Sequence, residues 1–343
     1  MLQYALRRVA LLPVTLICLS IIVFSFMFFI SPYARLAVFC NNPEALRTVN
    51  LDVLLHRYGL DKPVPAQYWT WLNRLFHADF GWSQSARMPV IQALLRYGTA
   101  SIELLSLALI WALVGSIILG TYAAVHEQTF SDMLLRVAST VSLAIPEFIF
   151  GLVLLVVFYS SVNWFPPGRL SFWALNIVYS QGFITYTGLY TVDSLLNANF
   201  WVFLDALRHL FLPSLVVALG MWTTLFRLMR SSLLEVMHEE YVIVARAKGL
   251  TEAIVIRKHA RRNALLPVIT QAGITVVRSI GGIVIVESVF TFRGMGMFLV
   301  TAATTLDFPA ILGISLVVGA FIILMNIVID LGYAVLDPRI QYK

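Results

Sequence analysis

A polar and basic stretch interrupts two strongly apolar ones at Glu239-Glu240-Tyr241-Val242-Ile243-Val244-Ala245-Arg246-Ala247-Lys248-Gly249-Leu250-Thr251, and it continues to Arg261-Arg262-Asn263-Ala264-Leu265-Leu266-Pro267. The pattern predicts a helix that stops at Gly249, because glycine readily takes the left-handed backbone that ends a helix. Thr251 is suited to cap a second helix, with Glu252 near its positive end. We expect Pro267 at the start of the next membrane span. The stretch is therefore predicted to be a helical hairpin that another protein binds.

Composition places the rest of the chain in a membrane. Of its 343 residues, 59% are hydrophobic and only 12% are charged, whereas a soluble domain has roughly a quarter charged residues. The net charge is +6, but the basic residues cluster at the ends of apolar runs, where they set membrane orientation. We therefore expect contact with membrane lipid and none with nucleic acid. Cys18 and Cys40 suggest neither a disulfide framework nor a metal site.

Six apolar segments are long enough to cross a bilayer, which needs roughly 20 residues each. The predicted fold is an all-α membrane protein with six transmembrane helices. The third segment contains Pro146 and Glu147, and the fifth contains Arg278. The segments are Val9–Ile30, Leu104–Val125, Leu135–Val162, Leu210–Met229, Leu266–Phe290 and Pro309–Leu331.

Basic residues predict the orientation of these segments. Seven Arg and Lys residues lie between Arg230 and Arg262, so this loop is expected in the cytoplasm. Counting spans from it places both termini in the cytoplasm. The first apolar run follows Arg7 and Arg8, is too long for a signal peptide and lacks a small-residue cleavage site, so we interpret it as a retained span.

We treat residues 1–343 as a single transmembrane domain with three large connections. Residues 31–101 and 163–209 are predicted to be external loops, and 230–265 is predicted to be the cytoplasmic loop. Residues 173–190 are apolar enough to suggest a seventh span. We reject that span, because an odd count would move the basic hairpin outside.

Catalytic motifs are absent from the sequence. It has no G-x-x-x-x-G-K-[ST] loop for nucleotide phosphates, no H-E-x-x-H metal motif and no G-x-S-x-G elbow. We therefore expect a chain that is not an enzyme and binds no cofactor itself.

The motif YVxxARAKGL…RNALLP resembles the "EAA" coupling loop of permease subunits in bacterial and archaeal ABC importers, in particular the peptide and nickel branch. Four further segments resemble its B-type subunit: Leu6-Arg7-Arg8, Tyr58–Pro63 with Gln67-Tyr68, Glu287–Gly296 with Asp307-Phe308-Pro309, and Asp330 with Leu336–Ile340. Three places depart from the pattern. The family's first motif positions fall on Ile243 and Val244, so only Ala245 keeps the residue type. Phe292-Arg293 stands where Trp-Pro is usual, and Ser31-Pro32-Tyr33-Ala34 replaces Pro-Gly-Asp-Pro.

The resemblance implies a type I importer permease in the inner (cytoplasmic) membrane. It implies a second, C-type permease, two cytoplasmic ATPase subunits that hold ATP and Mg, and an external substrate-binding protein. The coupling residues would be Glu240, Ala245, Ala247, Gly249, Leu250, Thr251, His259 and Pro267.

A second set of residues is a candidate for the pathway or for helix pairing. Ionisable groups inside spans are functional candidates, and glycines permit close helix approach. We favour helix pairing over substrate contact for this set. Its members are Glu147, Gly273, Arg278, Gly281, Gly282 and Glu287.

The expected substrate is a dipeptide or oligopeptide, because Thr187–Leu196 before Asp205–His209 resembles an external insertion of peptide-type members. Oligosaccharide or nickel import is the alternative. A self-contained secondary transporter is disfavoured, because we find no internal repeat. An intramembrane hydrolase is disfavoured too, because no nucleophile with a base is evident.

Overall fold

The computed structural model describes residues 2–29, 31, 35–36, 38 and 50–336, which are almost entirely helical. The helices α1 to α14 are Leu2–Phe26, Leu51–Arg57, Val64–Phe76, Val90–Val125, Phe130–Ala144, Glu147–Leu155, Phe172–Val178, Tyr190–Leu196, Phe200–Val236, Glu240–Ala247, Glu252–Ile254, Arg261–Val289, Met295–Thr304 and Phe308–Leu336. A 3-10 turn at Met27–Phe29 follows α1, and wider π-helical turns at Val156–Ser161 and Val255–Ala260 follow α6 and α11. The chain forms two compact units.

The first unit comprises residues 1–101, 185–189 and 293–327. In it α1 packs on α3 through Phe24, whose ring centroid lies 5.3 Å from that of Trp71. A small antiparallel hairpin, β1 (Trp82–Ser83) with β2 (Met88–Pro89), precedes α4. Asp307 is 2% exposed and accepts hydrogen bonds from both the backbone N–H and the hydroxyl of Ser85. This buried carboxylate fixes the hairpin to the start of α14.

The second unit comprises residues 102–184, 190–292 and 328–343, of which residues up to 336 are described. Its centre is the long helix α9, which packs against α5, α6 and α12. Buried apolar side chains follow α9 along most of its length, including Met221, Leu225 and Phe226. Helix α8 packs on it too, so several helices surround one central helix.

Buried ion pairs tie connecting segments to the helices of the second unit. Asp132 is fully buried and accepts two hydrogen bonds from Arg230, at 2.7 and 2.8 Å. Glu103 binds Arg169 at 2.8 Å and also accepts from the backbone N–H of Thr191. Removing one partner of such a pair costs about 3–5 kcal/mol, because it leaves a buried charge uncompensated. These contacts fix α5 to α9, and they fix Arg169 and Thr191 to α4.

Four continuous helices among the described residues are long and apolar enough to cross a membrane: Val90–Val125, Phe200–Val236, Glu252–Val289 and Phe308–Ile329. They correspond to the second, fourth, fifth and sixth predicted spans. The apolar stretch Ala10–Phe26 of the first predicted span is shorter. The prediction of a predominantly helical membrane protein is confirmed, while the count of six remains a prediction.

The third predicted span is not one straight helix. It consists of Phe130–Ala144 and Glu147–Ser161, which meet at 100°. The cause is Pro146, which has no N–H to donate and disfavours helical backbone in the preceding residue. Ile145 is accordingly extended, with φ −89° and ψ 120°.

Several helices extend beyond the predicted spans. Helix α4 begins at Val90 and α9 begins at Phe200, inside the predicted external loops 31–101 and 163–209. Helices α9 and α12 likewise extend into 230–265. Residues 163–209 hold the short helices α7 and α8 before α9, and the rejection of a seventh span there remains a prediction.

Candidate functional site

The predicted hairpin is present, with helix α10, a turn at Gly249 and a second helical arm that begins at Glu252. Gly249 has φ +77°, the left-handed conformation expected for a glycine that ends a helix. A methyl group at this position would meet no heavy atom within 4 Å. The turn therefore requires glycine for its backbone and not for space.

The inner face of the hairpin is a small apolar core. Val242 and Val255 are fully buried and Ala245 is 5% exposed, because α10 packs on the π-helical turn at Val255–Ala260. The small side chain of Ala245 thus lies inside the hairpin. Of the two alanines predicted to couple to a partner, Ala245 therefore packs within the hairpin. Ala247 alone of the two is exposed.

Polar contacts brace the turn. Arg246 donates to Glu252 across Gly249 at 2.7 Å and to the backbone carbonyl of Met237. The hydrogen bond to Glu252 raises the pKa of Arg246 further above its ordinary value, so the pair stays charged at physiological pH. Tyr241 and Asn263 join the two arms at 2.7 Å. The hairpin is consequently braced on both sides of its turn.

Its outer face is apolar and exposed. Ile243, Val244 and Ile254 are each at least 40% exposed, and Leu250 is 36% exposed. The same stretch of sequence carries the exposed cations Lys248, Arg257, Lys258 and Arg262. Exposed apolar side chains with a polar rim mark a binding surface for another protein.

Two of the predicted coupling residues, Thr251 and Pro267, differ from expectation in detail. Thr251 occupies the N-cap position but makes no side-chain capping bond. Pro267 lies inside α12 and not at the start of a helix. Glu240 is the exposed first residue of α10, and His259 is half-buried.

A second cluster forms where the bent pair meets α9 and α12. The carboxylate of Glu147 lies against the backbones of Gly220 and Gly282. A methyl group at Gly282 would be 2.9 Å from Oε2, and one at Gly220 would collide with Oε1. Glycine on both long helices therefore makes room for this side chain.

The other pathway candidates separate into buried and open positions. A methyl group at Gly273 would lie 2.6 Å from the side chain of Ile329, so Gly273 serves packing within the chain. Gly281 has open space above it, and Arg278 is exposed one turn earlier. Glu287 is fully buried.

Comparison with known proteins identifies the family of the chain. A family model described as the binding-protein-dependent transport system inner membrane component matches residues 116–342. A second model, for the N-terminal part of such membrane components, matches residues 1–93. The chain belongs to this family.

Individual relatives of this permease match along most of its length. A putative peptide permease protein of Brucella ovis is 34% identical over 343 residues, 99% of each chain. The dipeptide transport system permease protein of Escherichia coli is 34% identical over 348 residues, all of each chain. The probable D,D-dipeptide transport system permease protein of Escherichia coli is 36% identical over 291 residues, 84% of each chain. The resemblance to B-type permeases of peptide importers is thereby confirmed.

Some residues of this permease were missed from sequence. Gly220 was not singled out, because its importance rests on a contact with Glu147 from another helix. Tyr241 carries no signal in the sequence beyond its place in the motif, although it links the two arms. Among the described residues, no group of three or more His, Cys, Asp or Glu side chains is placed to hold a metal ion.

Proposed function

We propose that this permease forms one half of the membrane pathway of an ATP-driven importer of dipeptides or oligopeptides. The observation that carries the proposal is the match with dipeptide and other peptide permeases over nearly the whole chain. The exposed apolar face of the hairpin supports it, since a membrane subunit without a phosphate loop must draw its energy from a partner.

The partners follow from this role. Two cytoplasmic ATPase subunits bind ATP and Mg and seat the hairpins, while this chain binds no cofactor. A second, C-type permease supplies the other wall, and an external binding protein delivers the peptide. Because α10 is braced to the start of α12 through Tyr241 and Asn263, movement of the hairpin passes to α12 as a rigid body.

We further propose six spans, with both termini and the hairpin in the cytoplasm. A cysteine at Leu196, which is 58% exposed, is expected to react with a membrane-impermeant maleimide applied from outside intact cells. A cysteine at Lys248 is expected to react only after permeabilisation. Cys18 and Cys40 are first replaced by serine. Labelling of position 248 in intact cells would contradict this topology.

The substrate is tested by uptake into proteoliposomes that contain the complete transporter. We expect ATP-dependent uptake of a radiolabelled dipeptide, with unlabelled dipeptides competing and an oligosaccharide or Ni²⁺ having no effect. Liposomes that lack this chain are the control. Competition by a sugar or nickel, with no dipeptide uptake, would reject the peptide assignment and leave the permease role.

A further inference from the structure

Glu147 stands where the middles of membrane segments meet. Gly220, which it contacts, lies at the centre of the predicted span Leu210–Met229. Gly282, its other contact, lies one helical turn beyond Arg278, the central residue of Leu266–Phe290. Residues at the centres of spans lie near the bilayer midplane. The carboxylate is therefore placed deep in the membrane.

The backbone beside Glu147 is interrupted at the same depth. Helices α5 and α6 meet there at 100°, and Glu147 is the first residue of α6. Non-helical backbone at membrane depth is tolerated only where it is buried in protein or lines an aqueous path.

Neither Glu147 nor Arg278 has a hydrogen-bonding or ion-pair partner among the described residues. In the part of the chain that the structure describes, no donor forms a hydrogen bond or ion pair with the half-buried carboxylate of Glu147, nor does any acceptor with Arg278. Two of the groups against the Glu147 carboxylate are glycines, which offer no side-chain donor. An unpaired charge inside a membrane is costly and is retained for a function.

We propose that Glu147 and Arg278 form a two-charge site for the substrate in the middle of the pathway. This inference rests on the proposed function. Glu147 takes a cationic side chain of the peptide, such as that of lysine, and Arg278 takes an acidic side chain. The two positions suit a short peptide. Arg278 lies four residues, about 6 Å, from Gly282 along α12, and an extended dipeptide spans about 7 Å at most.

The substitution Glu147→Gln tests the site, because it removes the charge and keeps the shape. We expect the maximal uptake rate of Ala-Lys by the complete transporter to fall about tenfold and that of Ala-Glu to change less than twofold. Saturating amounts of loaded binding protein keep delivery constant. The substitution Arg278→Gln is expected to lower the uptake of Ala-Glu and to change that of Ala-Lys less than twofold. Glu147→Asp is expected to retain the preference for Ala-Lys.

Asp61→Asn is the matched control, since it neutralises an exposed carboxylate of the other unit. A ratio of Ala-Lys to Ala-Glu uptake that stays at the wild-type value in both Glu147→Gln and Arg278→Gln would overturn the site. Equal loss of both peptides, together with less assembled complex, would assign Glu147 to packing and overturn it too. Failure of wild-type protein to import any peptide would instead reject the proposed function.

Discussion

Substituting Gly249 with valine is expected to reduce ATP hydrolysis stimulated by the loaded binding protein at least tenfold. Gly249 has φ +77°, which costs an L-residue about 1–2 kcal/mol and a β-branched residue more. The chain relieves this strain by rotating the turn. That rotation displaces Arg246 from Glu252, which it now contacts at 2.7 Å, and shifts the outer face of Ile243 and Val244. The measurement is ATPase activity of the purified complex.

Two further variants separate backbone strain from added bulk. Gly182 also has open space around it but no positive φ, so Gly182→Val adds the same side chain without strain and is expected to keep full stimulation. Gly249→Asn is expected to retain most of the stimulated ATPase activity, because asparagine tolerates the left-handed region. Normal stimulated ATPase activity in a Gly249→Val complex would show that the hairpin does not couple to the ATPases.

The hairpin was predictable from sequence because its determinants are local. A helix that ends at a left-handed glycine and restarts two or three residues later is set by neighbouring residues, and Gly249 and Glu252 lie as expected. The details that failed depend on tertiary context. The Ala245 side chain became part of the hairpin core, and Pro267 was accommodated within a long helix.

The middle of the membrane region was less predictable. Pro146 predicted a break in the helix of the third apolar segment. The local sequence does not determine whether a proline produces a mild kink or a bend of 100°. The roles of the glycines depended on contacts between distant parts of the chain. Gly273 packs on Ile329 and Gly282 on Glu147, while nothing in the sequence distinguishes these glycines from Gly281. Apolar runs located the spans but not their ends, since helices such as α4 continue through polar residues toward Val90.

These glycine contacts refine where the second permease is expected to meet this one. The sequence makes Gly273, Gly281 and Gly282 candidates for helix pairing, but side chains of this chain already cover Gly273 and Gly282. Gly281 remains open, and Ile285, one turn later on the same face, is 50% exposed. Small residues allow two helices to approach closely in a membrane. The face of α12 around Gly281 is therefore the expected contact with the partner permease.

Omitting the second permease is expected to abolish uptake altogether. The helices of one permease form only one wall of the membrane pathway. This chain also lacks a phosphate-binding loop, so it depends on the ATPase subunits for energy. Proteoliposomes with this permease, both ATPases and the binding protein are expected to show no ATP-dependent dipeptide uptake, and adding the C-type permease is expected to restore it. Gly281→Leu is expected to reduce co-purification of the C-type permease, while Gly182→Leu leaves it unchanged. Full uptake without the second permease would mean that two copies of this chain form the pathway.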